Sequence, residues 1–327
     1  MTPGEATAPN LPGTPTLEDS YQSLVDRLPP RLRDSARRLP WTLGLTGSPD
    51  GGWGDFVGLH PNRHLPIYAA QAPDGRLGIA DVSLHRFLQA HHLGGFAWLL
   101  RDRIEDGQVA ADDLLNEVGD IFDQRAREAM AIATADVPLA DLLCRRAAAR
   151  WRRGTQAERQ LLAGGALRPP IYAAVVREKL SWIGAPSQAL LLTHGDPRRL
   201  TQFVQAHDLF LLGLQTIDDF VDMKQDRALH GSDIPAALRC SPGALVRVAP
   251  KLLQRAADVA SGGGFTWFAT WLEAFARSLA AWRLAGDALT DELDAIGIAG
   301  EIEEAAMNAP DLIVRARVDA MPAAAPA

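Results

Sequence analysis

Cysteine is nearly absent: the 327-residue chain has two, Cys144 and Cys240. They are too few and too far apart for a zinc-ligand spacing or a disulfide framework, so both read as thiols of a reducing compartment. Basic excess is missing too. A net charge of −7 and a pI near 5.6 argue against a broad nucleic-acid or anionic-membrane footprint. No uninterrupted apolar run reaches the roughly 20 residues of a membrane-spanning helix, so no stable membrane insertion is expected. Residues 1–16 are rich in Pro, Thr, Gly and Ala without an apolar centre, so no signal peptide is expected there. These features place the protein in the cytoplasm, with 1–16 as a disordered leader and 321–327 as a disordered tail.

Alternating β-type patterns are scarce as well. Ala, Leu, Arg, Glu and Asp recur at helical spacing, and 47% of residues are apolar, enough for a sizeable core. Helices are expected near 17–38, 83–107, 110–134, 139–153, 156–163, 170–183, 197–224, 242–260, 265–285 and 290–306. Gly and Pro punctuate between them, at Gly164-Gly165, Pro169-Pro170, Gly195-Asp196-Pro197 and Gly262-Gly263-Gly264. The stretch 43–62, with six glycines and two prolines, reads as a long loop. No composition break marks a second domain. The expected architecture over 17–320 is all-α, a single-domain irregular helical bundle of about ten helices.

One segment carries strong chemistry. In Gln215-Thr216-Ile217-Asp218-Asp219-Phe220-Val221-Asp222, two acids stand at i and i+4 behind the apolar run Leu209-Phe210-Leu211-Leu212. Residues four apart share a helix face, so Asp218 and Asp222 point the same way, with Asp219 beside them. Crowded carboxylates on a buried helix repel one another and resist ionisation. A hard divalent cation relieves that, because Mg²⁺ takes carboxylate oxygens and keeps waters or phosphate oxygens as its other ligands. The bland alternative is a solvated helix end, since Lys224, Asp226 and Arg227 follow closely.

Gln-x-x-Asp-Asp-x-x-Asp behind an apolar helix resembles the second aspartate-rich motif of the trans-prenyltransferases and class I terpenoid (isoprenoid) synthases. That resemblance implies a first acidic motif on an earlier helix. Leu100-Arg101-Asp102-Arg103-Ile104-Glu105-Asp106 fits it, with Asp102 and Asp106 as the outer aspartates and Arg103 in place of the middle one. An exposed helix end of mixed charge is its alternative reading. Lys179 stands 39 positions before Asp218, where the family keeps a diphosphate-binding lysine. Arg63 and Pro66, in Asn62-Arg63-His64-Leu65-Pro66, are similar to part of the family's isopentenyl diphosphate signature. Its other basic residues are replaced, by Asn62 and Leu65, and the paired arginines after the first motif give way to Gln108-Val109.

The resemblance spans about residues 62–233 and implies the isoprenoid-synthase fold and metal–diphosphate chemistry. The metal ligands it implies are Asp102, Asp106, Asp218, Asp219 and Asp222, holding Mg²⁺ (three ions with substrate bound). Lys179 joins them in catalysis, with Arg63, Arg103, Arg177 and Gln215 about the substrate. Phe87, Trp98 and Phe220, with Phe96 and Phe210, are candidates to line an apolar pocket for a prenyl tail. Bulk at Trp98, one turn before Asp102, favours a C10 or C15 tail over a long one.

Because the losses fall on the homoallylic-diphosphate site, the function expected first is that of a terpene synthase. It would ionise one allylic prenyl diphosphate and cyclise or quench the cation, a lyase reaction. A prenyltransferase joining the allylic group to isopentenyl diphosphate or another acceptor is the second expectation. A silent partner subunit of a prenyl diphosphate synthase, motivated by Arg103, is the third. The resemblance also raises a homodimer.

Overall fold

In the computed structural model the described residues are 14–53, 64–163, 167–195, 197–281 and 289–308. Short polar side chains start many of the helices. Thr16 and Asp19 form a reciprocal capping box at the head of α1 (Leu17–Val25). Asp112 accepts from the Leu115 amide at 2.7 Å to open α6 (Asp113–Thr134). Asp136 does the same for α7 (Val137–Leu162), Asp233 for α11 (Ile234–Leu238) and Ser241 for α12 (Pro242–Gly262). The remaining elements are α2 (Pro30–Arg37), α3 (Leu39–Thr42), α4 (Leu65–Ala70), α5 (Asp81–Glu105), α8 (Pro169–Lys179), α9 (Ser181–Thr193), α10 (Pro197–His230), α13 (Thr266–Ala280) and α14 (Leu289–Asn308).

The all-α expectation holds, but the count of about ten does not: there are fourteen helices among the described residues. Pro29-Pro30 splits the first expected helix into α1 and α2, since Pro fits a first helical turn and not an interior. In the opposite sense, α7 is one 26-residue helix where two, 139–153 and 156–163, are expected. Gly154 serves close packing instead: a Cβ there would lie 2.4 Å from the Lys179 backbone nitrogen. The expected helix 170–183 covers α8 and only the first turn of α9. Helix α9 runs through Pro186, whose ring removes one backbone hydrogen bond without ending it. The leader and tail of the sequence reading lie outside the described residues, apart from 14–16.

The 34-residue α10 packs along α12 and also meets α8, α9 and α14, while α5 lies along α6. Phe203, Phe210, Phe265 and Phe268 are fully buried. From them a file of rings runs outward: Phe210 meets Trp271 edge-on at 5.6 Å, and Trp271 lies 5.2 Å from Phe275. Gly184 lets α9 press onto α10, since a Cβ would come within 2.9 Å of His207. Among the described residues no helix is long and apolar enough to cross a membrane.

Candidate active site

Two helices run from apolar to acidic along one cavity of about 490 Å³. On α5 the cavity-lining order is Gly94, Trp98, Asp102, Asp106; on α10 it is Leu211, Leu214, Asp218, Asp222, Asp226. The three-to-four-residue steps keep each row on one face of its helix. Trp182, Ile183 and Pro186 of α9 and Phe275 and Leu279 of α13 complete the apolar wall. The polar wall gains Glu158 and Arg159 from α7 and Lys179 from the end of α8.

Lys179 is buried at the point where α8 stops and α9 begins. Its Nζ donates to Glu158 Oε2 at 2.7 Å and to Asp106 Oδ2 at 3.3 Å. Burial alone would lower its pKa, but Glu158, Asp102 and Asp106 outweigh that and hold the ammonium well above its ordinary value. The acids behave in the complementary way. Burial pushes the Asp102 carboxyl up to about 7, with Lys179 opposing and Asp106 and Glu158 adding to the rise. Trp151 Nε1 points at Asp102 Oδ1 from 3.5 Å, a long contact. Burial and then Asp222 raise Asp226 to about 6; Asp218 and Asp222 are raised too, first by the loss of surrounding water within the cavity, although Asp218 keeps an exposed face.

Asp219 faces differently from its neighbours. It is buried, with Oδ2 accepting from the Tyr172 hydroxyl at 2.6 Å and Oδ1 from Gln215 Nε2 at 2.8 Å. Gln215 reaches Asp218 Oδ2 as well, at 3.2 Å.

Among the described residues seven acids therefore share the cavity with three cations, Arg103, Arg159 and Lys179. A divalent cation with oxygen preference fits that imbalance. The end of α5 fits it too, because Asp102 and Asp106 sit at a helix C-terminus, where the macrodipole disfavours negative charge and favours a cation. Among the described residues no three acid, His or Cys side chains already enclose such an ion. Water and phosphate oxygens would complete its shell.

Of the residues singled out from sequence, Trp98, Asp102, Arg103, Asp106, Lys179, Gln215, Asp218, Asp219 and Asp222 all line this one cavity. Three do not. Arg177 is turned toward α10, where its Nε donates to Asp208 at 2.6 Å, both side chains about nine-tenths buried. Phe87 is fully buried edge-on to His194, and Phe220 is half-buried off the cavity. Arg63 lies outside the described residues. Sequence reasoning missed Glu158, Tyr172, Trp182 and Asp226. Only Asp226 carried a legible signal, four residues beyond Asp222 on the same face.

No protein-family model and no curated protein matches this sequence. The fold is the all-α isoprenoid-synthase type. It is similar to the crystal structure of polyprenyl synthetase from Streptomyces coelicolor A3(2), with a TM-score of 0.51 and 17% identity over 89% of this chain and 95% of that one.

Proposed function

We propose that the chain is a diphosphate-releasing isoprenoid enzyme, and specifically a terpene synthase acting on a single allylic prenyl diphosphate. The observation that carries this reading is the pair of acidic rows on α5 and α10 facing across one cavity, with a buried lysine at their junction and an aromatic wall beyond. Asp102 and Asp106 on one side and Asp218 and Asp222 on the other are the residues that would hold Mg²⁺. When bound, the metal supplies charge neutralisation as the C–O bond of the substrate breaks.

The protein's own groups account for the rest. Lys179, already poised among carboxylates, would exchange Asp106 for a diphosphate oxygen and stabilise the departing group. Arg103 and Arg159 flank the same space with further positive charge. Trp98, Trp182 and Phe275 offer ring faces to an allylic cation and keep water from it. A buried proton donor close to the cation is not needed at this stage, since ionisation releases pyrophosphate and transfers no proton.

Incubation with Mg²⁺ and geranyl, farnesyl or geranylgeranyl diphosphate, each with and without isopentenyl diphosphate, tests the reading. Pyrophosphate and a hydrocarbon or alcohol from the allylic substrate alone are expected. Product formed only with isopentenyl diphosphate would establish the second reading, an elongating prenyltransferase, which the likeness to a polyprenyl synthetase fold favours. No turnover of any substrate would leave the silent-partner role.

A further inference from the structure

The middle acid of the α10 motif is held in a way its neighbours are not. Asp219 follows Asp218 by one residue and so points about 100° away around the helix, toward α8. Asp219, Tyr172 and Gln215 are exposed by only 5%, 2% and 8%. Each carboxylate oxygen of Asp219 already accepts from a protein donor: Oδ2 from the Tyr172 hydroxyl at 2.6 Å, Oδ1 from the Gln215 amide at 2.8 Å. The Gln215 amide nitrogen has two hydrogens, and through the second it donates to Asp218 Oδ2, with nitrogen and oxygen 3.2 Å apart. One side chain thus ties the buried acid to its exposed neighbour on the cavity wall.

We infer that Asp219 is a positioning carboxylate, clamped by Tyr172 and Gln215, and that ions bound in the cavity are met by Asp218 and Asp222 instead. The inference rests on the reading of the cavity as a metal–diphosphate site and assigns labour within it. Tyr172 comes from α8, two turns before Lys179 on that helix. The Tyr172–Asp219 bond therefore joins α8 to α10 and sets where Lys179 stands against the acidic row. Through Gln215 the same clamp holds the Asp218 carboxylate in one orientation. Groups that orient a metal ligand in this way tune affinity without adding a ligand of their own.

Titration of Mn²⁺ into the full-length protein with inorganic pyrophosphate reads both the number of ions bound and their affinity, independently of turnover. Asp218→Asn is expected to lose one ion. Asp219→Asn has the same shape; its Oδ1 can still accept from Gln215 while its Nδ2 donates to the Tyr172 oxygen, so it should bind the wild-type number. Tyr172→Phe should also bind that number, with affinity weakened about 10–100-fold. Loss of an ion in Asp219→Asn, or wild-type affinity in Tyr172→Phe, would overturn the clamp. If Tyr172→Phe does not fold, as read by thermal denaturation, the ion count of Asp219→Asn decides alone. Wild-type protein that takes up no Mn²⁺ with pyrophosphate overturns the diphosphate reading itself and the clamp with it, a result distinct from either variant's failure.

Discussion

The two acidic walls of the cavity are built on opposite plans. On α10 the acids sit inside a long helix, where Gln215 one turn back donates to Asp218 and Asp219, and the Tyr172 hydroxyl donates to Asp219 from outside. On α5 they sit at the last turn, and nearly everything that steadies them comes from elsewhere. Lys179 reaches Asp106 from α8, while Trp151 approaches Asp102 and Arg159 reaches Glu105 from α7. The α10 wall is therefore close to a local property of its sequence, whereas the α5 wall depends on how α7 and α8 dock. Lys179 joins the two plans, being the cation that both rows share.

Removing that cation should produce the largest effect. Lys179→Ala takes away charge stabilisation of the leaving group, for a loss of about 100–1000-fold in kcat. It also leaves Glu158 and Asp106 facing each other unneutralised, so the metal-free protein should melt well below wild type. Unchanged turnover, followed by pyrophosphate release, would break the picture of a shared cation.

Gly154→Ala comes next. A Cβ 2.4 Å from the Lys179 backbone nitrogen must push α7 and α8 apart, at a cost of about 1–3 kcal/mol, and should lower activity through the α5 wall. Denaturant unfolding and steady-state kinetics check the two parts. Arg177→Ala sharpens the contrast within α8. Loss of its buried pair with Asp208 should destabilise the fold by about 3–5 kcal/mol, with KM for the diphosphate unchanged in the folded fraction. A rise in KM would return Arg177 to the substrate site.

The smallest effect is a pH dependence. Asp102 holds its proton up to about 7 in the folded protein against 3.8 ordinarily. A group with a raised pKa favours the folded state fully below pH 4, and that contribution is lost as pH climbs through 7. The metal-free protein should therefore lose stability across this window. Divalent-metal affinity should move the other way and weaken as pH falls below about 7, because the ion must displace the proton. Calorimetry at pH 5.5 and 8, with and without Mg²⁺ and pyrophosphate, checks both signs.

How much of this was legible follows from the same contrast. Asp218 and Asp222 could be read because an i, i+4 pair behind an apolar run has one geometric meaning in a helix. Asp102 and Asp106 shared the spacing but needed the second motif to lift them above an ordinary charged helix end. Glu158 was invisible: in Gln156-Ala157-Glu158-Arg159-Gln160 it looks like any solvated helix residue, and only the docking of α7 on α8 puts it against Lys179. Tyr172 was hidden for a similar reason, since its partner lies 47 positions away. Arg177 was misjudged because proximity to Lys179 in sequence says nothing about direction: two residues on is about 200° around a helix. The expected boundaries at 153–156 and at 183 fall inside α7 and α9, beside Gly154 and Pro186, and both residues sit where helices pack closely around the site.

The central claim is that the two walls hold metal and diphosphate between them. Anomalous scattering from crystals grown with Mn²⁺ and pyrophosphate tests it most directly. Manganese peaks are expected in the cavity beside the Asp102, Asp106, Asp218 and Asp222 carboxylates, with Lys179 turned from Asp106 onto the pyrophosphate. Manganese bound outside the cavity, or pyrophosphate seated away from both acidic rows, would contradict it.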